Sequence, residues 1–259
     1  MDLVIYFLVG LISTTVGAIS GLGGGVIIKP VLDMLGTYDI STIGVLSAFT
    51  VFSMSIVSLG KNIKNKVKLD GKRTITLAIG SILGGVMGKQ AFNIFLILLG
   101  NNVLAQKIQS VMLFLLMLLA LILYQMEDKI KGFQIQNLIM CFIVGLILGI
   151  ISSFLGIGGG PLNVIVLMYI LGMDSKASAI HSIFIIFFSQ GSKLLTILFN
   201  EGFSGYNLEV VAYMIIGGVL GGFIGSHFSK TMKKEAVKRL FKYCMILIIC
   251  FNFYNIIKF

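Results

Sequence analysis

Five stretches of this chain carry no charged side chain: residues 3–28, 40–60, 108–126, 132–173 and 210–229. A helix needs about 20 apolar residues to cross the hydrocarbon of a bilayer. In lipid, only helices and closed barrels satisfy every backbone polar group. Barrel strands alternate polar and apolar residues over about 10 positions, a pattern these runs lack. The chain therefore reads as an all-α, polytopic membrane protein. Composition agrees: 57% of the 259 residues are hydrophobic and 12% charged, about half the charged fraction of a soluble domain.

The runs divide into about ten helical segments: 3–19, 26–36, 40–60, 74–99, 108–126, 134–154, 161–172, 175–199, 208–229 and 236–257. Segments 26–36 and 161–172 span only about 17 Å as helix, little more than half the hydrocarbon. They read as half-helices completed by the linkers before them, Gly21-Leu22-Gly23-Gly24-Gly25 and Gly156-Ile157-Gly158-Gly159-Gly160. These glycine knots stand 135 positions apart, as do Gly10 and Gly145, and Ser47 and Ser182. Gly80, Gly84, Gly85 and Gly88 recur as Gly217, Gly221, Gly222 and Gly225, and such small-residue faces let helices approach closely in lipid. The chain reads as two five-segment repeats, residues 1–126 and 134–259, joined by a linker at 127–133.

The net charge of +10 sits mainly in two loops, 61–73 and 230–242. That pattern suits cytoplasmic anchoring on anionic lipid rather than nucleic acid. The first basic loop follows segment 40–60. Its repeat counterpart, after 175–199, holds Glu201 and Glu209 without Lys or Arg. The loop after 74–99 holds only Lys107, and its counterpart is the second basic cluster. Equivalent loops thus differ in basic character, which points to inverted repeats with five crossings each. The N- and C-termini then lie outside and the linker inside. Asp2 precedes the first apolar run with no basic residue, so that run reads as an uncleaved span rather than a signal peptide. Cys141, Cys244 and Cys250 form no Cys-x-x-Cys and read as packing residues.

Interrupted segments at matching positions in two halves point to a transporter site near the midplane. Triglycine exposes bare amides, and a helix start presents unpaired N–H groups to an anion. The candidate substrate-binding residues are Gly23, Gly24, Gly25, Gly158, Gly159 and Gly160 of the knots, with Lys29, Ser47, Thr50, Asn163, His181, Ser182, Gln190 and Lys193. Some of these have a second reading. The glycines could simply permit helix crossing, and the hydroxyls could bond between helices. Lys29 could face the cavity or pair with Asp33, Lys193 could snorkel, and His181 could be structural. Pro161 suits the first position of its half-helix. No soluble strand–helix context makes either knot a nucleotide fingerprint, and neither His-Glu-x-x-His nor Gly-x-Ser-x-Gly occurs, so an intramembrane enzyme is disfavoured. No cofactor or metal site is expected.

Gly21-Leu-Gly-Gly-Gly-Val-Ile-Ile-Lys-Pro30 and Gly156-Ile-Gly-Gly-Gly-Pro161, with the serine-bearing third helix, resemble the TauE/SafE sulfite exporter family, also called the toluenesulfonate uptake permeases. The resemblance implies a secondary transporter of small sulfur-containing or organic anions (sulfite, sulfonates, sulfoacetate) in the bacterial inner membrane, with coupling to protons. The repeats would rock against each other in alternating access. The competing class is an anion channel or the membrane subunit of a larger complex. Neither the substrate nor the direction of transport nor the oligomeric state follows.

Overall fold

A computed structural model describes residues 2–64, 71–126, 132, 133, 135 and 137–258. These form ten helices with no strand among them: α1 (Asp2–Ser20), α2 (Gly25–Leu35), α3 (Ile40–Lys64), α4 (Gly71–Leu99), α5 (Asn102–Gln125), α6 (Leu138–Leu155), α7 (Gly160–Leu171), α8 (Ser175–Asn200), α9 (Val211–Thr231) and α10 (Lys234–Lys258). All but α2 and α7 are long and apolar enough to cross a membrane. Of the first basic loop, residues 65–70 lie outside the described residues, as do 127–131 of the linker.

Side-chain caps set several boundaries that charge alone misplaces. Asn101 accepts from the Val103 and Leu104 amides, so α5 starts at Asn102 rather than 108, with Lys107 on the helix. Asn137 accepts from the Ile139 amide and starts α6 at 138 rather than 134. Asp174 caps α8 in the same way. Each cap satisfies amides that the helix itself leaves open. By contrast, α9 begins at 211 rather than 208, after a turn in which the Val211 amide donates to the Leu208 carbonyl.

Two glycine seams hold the bundle. Along α4, a Cβ at Gly80, Gly84 or Gly88 would lie 2.3, 2.1 or 2.4 Å from the carbonyl oxygens of Phe142, Leu146 and Ile150 on α6. Along α9, a Cβ at Gly221 would lie 2.1 Å from Thr14 Oγ1, and one at Gly225 2.4 Å from the Thr15 carbonyl of α1. Thr14 also donates across this seam to the Gly217 carbonyl (3.3 Å). In both seams the helices run parallel and backbone meets backbone, the close approach that small residues allow in lipid. Other glycines of α9 and α4 face a third helix: Gly218 and Gly222 meet Thr50 and Met54 of α3, and Gly85 meets Ser189 and Ser192 of α8. Exposed leucines, isoleucines and phenylalanines cover the outside of the bundle, as a lipid-facing surface requires.

The chain path gives the bundle two faces. Tyr6 near the start of α1 packs edge-on against Tyr38 just after α2 (centroids 5.6 Å apart), so α2 returns to the face where α1 began. On that terminal face, Lys258 near the end of α10 donates to the Met34 carbonyl (2.7 Å). The opposite, linker face carries Phe133, whose amide donates to the Tyr169 carbonyl (2.7 Å). Lys176 there reaches the Lys230 carbonyl (3.4 Å).

The seams make a direct comparison possible. Gly84→Val forces a side chain into the Leu146 carbonyl, and the expected outcome is a large loss of folded, monodisperse protein in detergent. Gly60→Ala, where a Cβ would meet nothing within 4 Å, should raise stability by up to about 1 kcal/mol through helix propensity. Thermal melts of the two variants check both.

Candidate functional site

The two knots break their helices and cross at the centre of the bundle. Gly21, Gly23 and Gly24 have φ of 78°, 80° and 76°, and Gly156, Gly158 and Gly159 have φ of 69°, 74° and 90°. An L side chain in this left-handed region is strained by about 1–2 kcal/mol, which is why glycine recurs. A Cβ at Gly25 would lie 2.4 Å from the Ile157 carbonyl oxygen and 3.0 Å from Ser47 Oγ. One at Gly160 would lie 3.2 Å from the Leu22 carbonyl. Each linker thus covers the other's bare backbone. Helix α2 leaves the crossing toward the terminal face and α7 toward the linker face. Neither has a side-chain cap, so the positive ends of both half-helices meet in the middle.

The sequence candidates divide by location. Ser182 Oγ donates to the Gly21 carbonyl (2.7 Å) and so anchors the first knot. Gln190 lies against Gly158 and donates to Ser152 Oγ (3.3 Å). Asn163 folds over Gly159, and it is fully buried with neither amide atom hydrogen-bonded among the described residues. Ser47 sits beside Gly25. Thr50 turns back to the Leu46 carbonyl of its own helix (2.7 Å). His181 Nδ1 lies 2.9 Å from the Ala177 carbonyl one turn back. Of the sequence candidates, Lys29 and Lys193 alone line the cavity described next; the knot glycines 23–25 and 158–160, Ser47, Thr50, Asn163, His181, Ser182 and Gln190 do not.

On the terminal side of the crossing lies a small cavity of about 10 Å³, room for roughly one water, lined by Lys29, Lys89, Lys193, Gln109, Ser153 and Gly156 among others. Lys29 both lines it and pairs with Asp33 (2.8 Å), so its two sequence readings hold together. Lys193 is buried rather than snorkelling, and donates to the Gly44 carbonyl (3.0 Å). Lys89 donates to Asn93 Oδ1 (2.7 Å) and the Tyr206 hydroxyl (3.2 Å), and pairs with Glu201 (3.2 Å). Tyr206 in turn donates to Glu201 Oε2 (2.6 Å). Three lysines thus line the cavity, and two of them pair with carboxylates, Lys29 with Asp33 and Lys89 with Glu201. Lys193 has no carboxylate partner among the described residues. Gln109 Oε1 and Ser153 Oγ also lack a bonding partner there.

Lys89, Gln109, Ser153 and Ser41 were not among the sequence candidates. Lys89 carried a readable signal, because it is a charge deep in segment 74–99, and an intramembrane lysine is functional by default. The others had none, since serines and glutamines recur throughout the spans.

Residues 6–252 match the family described as Sulfite exporter TauE/SafE. The chain belongs to the TauE/SafE family. It is 26% identical over 277 residues to the probable membrane transporter protein YunE of Bacillus subtilis, covering 96% of this chain and 97% of that protein. It is 32% identical over 177 residues to the probable membrane transporter protein MJ0441 of Methanocaldococcus jannaschii, covering 64% of this chain and 60% of that protein. No solved structure matches. The TauE/SafE assignment makes this chain a multi-pass protein of a transporter family, in keeping with its eight long apolar helices.

Glu201, in the loop after α8, has a depressed pKa. Burial pushes it up, but hydrogen bonds from Tyr206 and Asn93 and the nearby Lys89 charge outweigh that and bring it below the ordinary 4.5. Burial and the Glu201 contact push the Tyr206 hydroxyl upward. A carboxylate depressed on folding stabilises the fold above its unfolded pKa, and that contribution is lost only as pH falls through the lower folded value. The expected outcome is a carboxylate infrared band, assigned by its absence in Glu201→Gln, that persists unchanged from pH 7 to pH 5.

Proposed function

We propose that this TauE/SafE protein is a secondary transporter of small anions, sulfur-containing or organic, working by alternating access around the crossed knots. The observation that carries this reading is the buried cavity where Lys29, Lys89 and Lys193 converge on two carboxylates. A cluster of three lysines with two carboxylate partners suits a small anion as a further partner. Hydroxyl, amide and ammonium donors suit oxyanion groups, and the apolar walls of Phe92 and Phe154 limit the size of the solute.

Residues 1–126 and 134–259 form inverted repeats in this reading, with 127–133 a cytoplasmic linker. Helix pairings support it: α4 packs on α6 while its counterpart α9 packs on α1, and α3 packs on α9 while α8 packs on α4. The linker face, with basic loops 61–73 and 230–242, is cytoplasmic in the bacterial inner membrane, and the lysine cavity lies toward the outside. Asp33 is the buried carboxylate of the described spans, so coupling to protons would run through its pair with Lys29.

Uptake of labelled sulfite into proteoliposomes tests the proposal. The expected flux is saturable, and Lys193→Gln should raise KM about tenfold, the effect of one charge-assisted hydrogen bond of ~1.5 kcal/mol. Lys29→Gln alone strands a buried Asp33 and should destabilise the protein by about 3–5 kcal/mol. Lys29→Gln with Asp33→Asn should recover the fold but not the affinity. Saturable transport with unchanged KM in Lys193→Gln, or flux that never saturates, would overturn the assignment.

A further inference from the structure

A second cavity on the terminal face, of about 440 Å³, is lined by Asp39, Ser41, Lys89, Asn93, Glu201 and Tyr206 among others. Ser41 and Lys89 belong to both cavities. Lys89 is the one lysine they share, and it stands at their junction. The other two lysines are held deeper: Lys29 by Asp33, both fully buried, and Lys193 by the Gly44 carbonyl. Glu201 differs from Asp33. Its side chain is 34% exposed, it follows the end of α8, and a Cβ at its loop neighbours Gly202 or Gly205 would meet nothing within 4 Å. Space is therefore open beside both glycines, while Phe203 anchors the loop on Phe49 (centroids 5.2 Å apart) and Tyr206 and Asn93 hydrogen-bond the carboxylate.

We propose that Lys89 passes the anion from the outer cavity to the inner one, and that Glu201 is the counter-ion it trades for the anion, sealing the inner cavity when no anion is present. The inference rests on the anion-transport reading. The exchange keeps the Lys89 ammonium paired throughout, first with a carboxylate of the protein and then with the arriving anion, so no step strands a buried charge. It also gives the entrance a sign: a cation gains nothing by displacing Glu201, because it would leave Lys89 beside a second positive charge. The position that the repeat offset pairs with Lys89 is Ser226, so the exchange belongs to one face only.

The test uses Ser153→Cys in the inner cavity of the full chain, with Cys141, Cys244 and Cys250 replaced by alanine. Its rate of modification is measured with anionic 2-sulfonatoethyl methanethiosulfonate and neutral methyl methanethiosulfonate. Glu201→Gln should speed the anionic reaction at least tenfold. Lys89→Gln should abolish the preference for the anionic reagent, Lys89→Arg should retain it, and Glu201→Gln added to Lys89→Gln should change nothing further. An anionic rate within twofold of the parent in Glu201→Gln, or equal acceleration in the Lys89→Gln background, would overturn the exchange. If Glu201→Gln does not fold, Tyr206→Phe, which removes one bond to the carboxylate, should give a smaller acceleration, and an unchanged rate there overturns the proposal equally. Modification needs no transport. Loss of sulfite flux with these rates as expected would therefore strike the transport reading alone, and normal flux with unchanged rates would strike only the Lys89–Glu201 exchange.

Discussion

Bare backbone inside a membrane must find partners within the protein, and this fold answers that demand at one place. Each triglycine linker breaks a helix at mid-depth, and the bare backbone of each is covered by the other. Ile157 seats against Gly25, Leu22 against Gly160, and Ser182 closes onto Gly21. Neither interruption would be tolerable alone. Because the two cross, the chain can bring two uncapped helix starts to a common centre and still leave room for a polar cavity on one side.

The electrostatics follow from that centre. Lysines on α2, α4 and α8 approach the crossing from the terminal face, where Gly156 forms the floor of their cavity. The equivalent positions reached by the repeat offset are Val164, Ser226 and Ser58, all neutral. In the two-repeat reading proposed above, the charge distribution thus has a direction.

Most of the architecture was legible in the sequence because lipid makes hydrophobic runs and glycine spacing nearly unambiguous. The ten segments, the two short ones and the small-residue faces all trace to those signals. Boundaries set by single polar caps, such as Asn101 and Asn137, were not legible, since an asparagine near the end of an apolar run has no distinct pattern. The site was half legible. Lys29 and Lys193 stood out as charges within spans, while Ser47, Asn163, Ser182 and Gln190 looked equally suitable but sit at the knots, and Thr50 and His181 turn to their own helices. Lys89 obeyed the same rule as Lys29 but lacked a neighbouring knot to draw attention to it. Which hydroxyls point inward depends on helix rotation, and a sequence without contacts does not specify that.

The glycine seam between α1 and α9 has a consequence for biosynthesis. It joins residues 203 positions apart, so α1 leaves the ribosome long before the surface it fits has been made. The seam between α4 and α6 closes much sooner. Late pairing of the first helix places the slow, entropically expensive ring closure at the end of assembly. Until α9 is made, the side of α1 that Gly217, Gly221 and Gly225 cover lacks that partner.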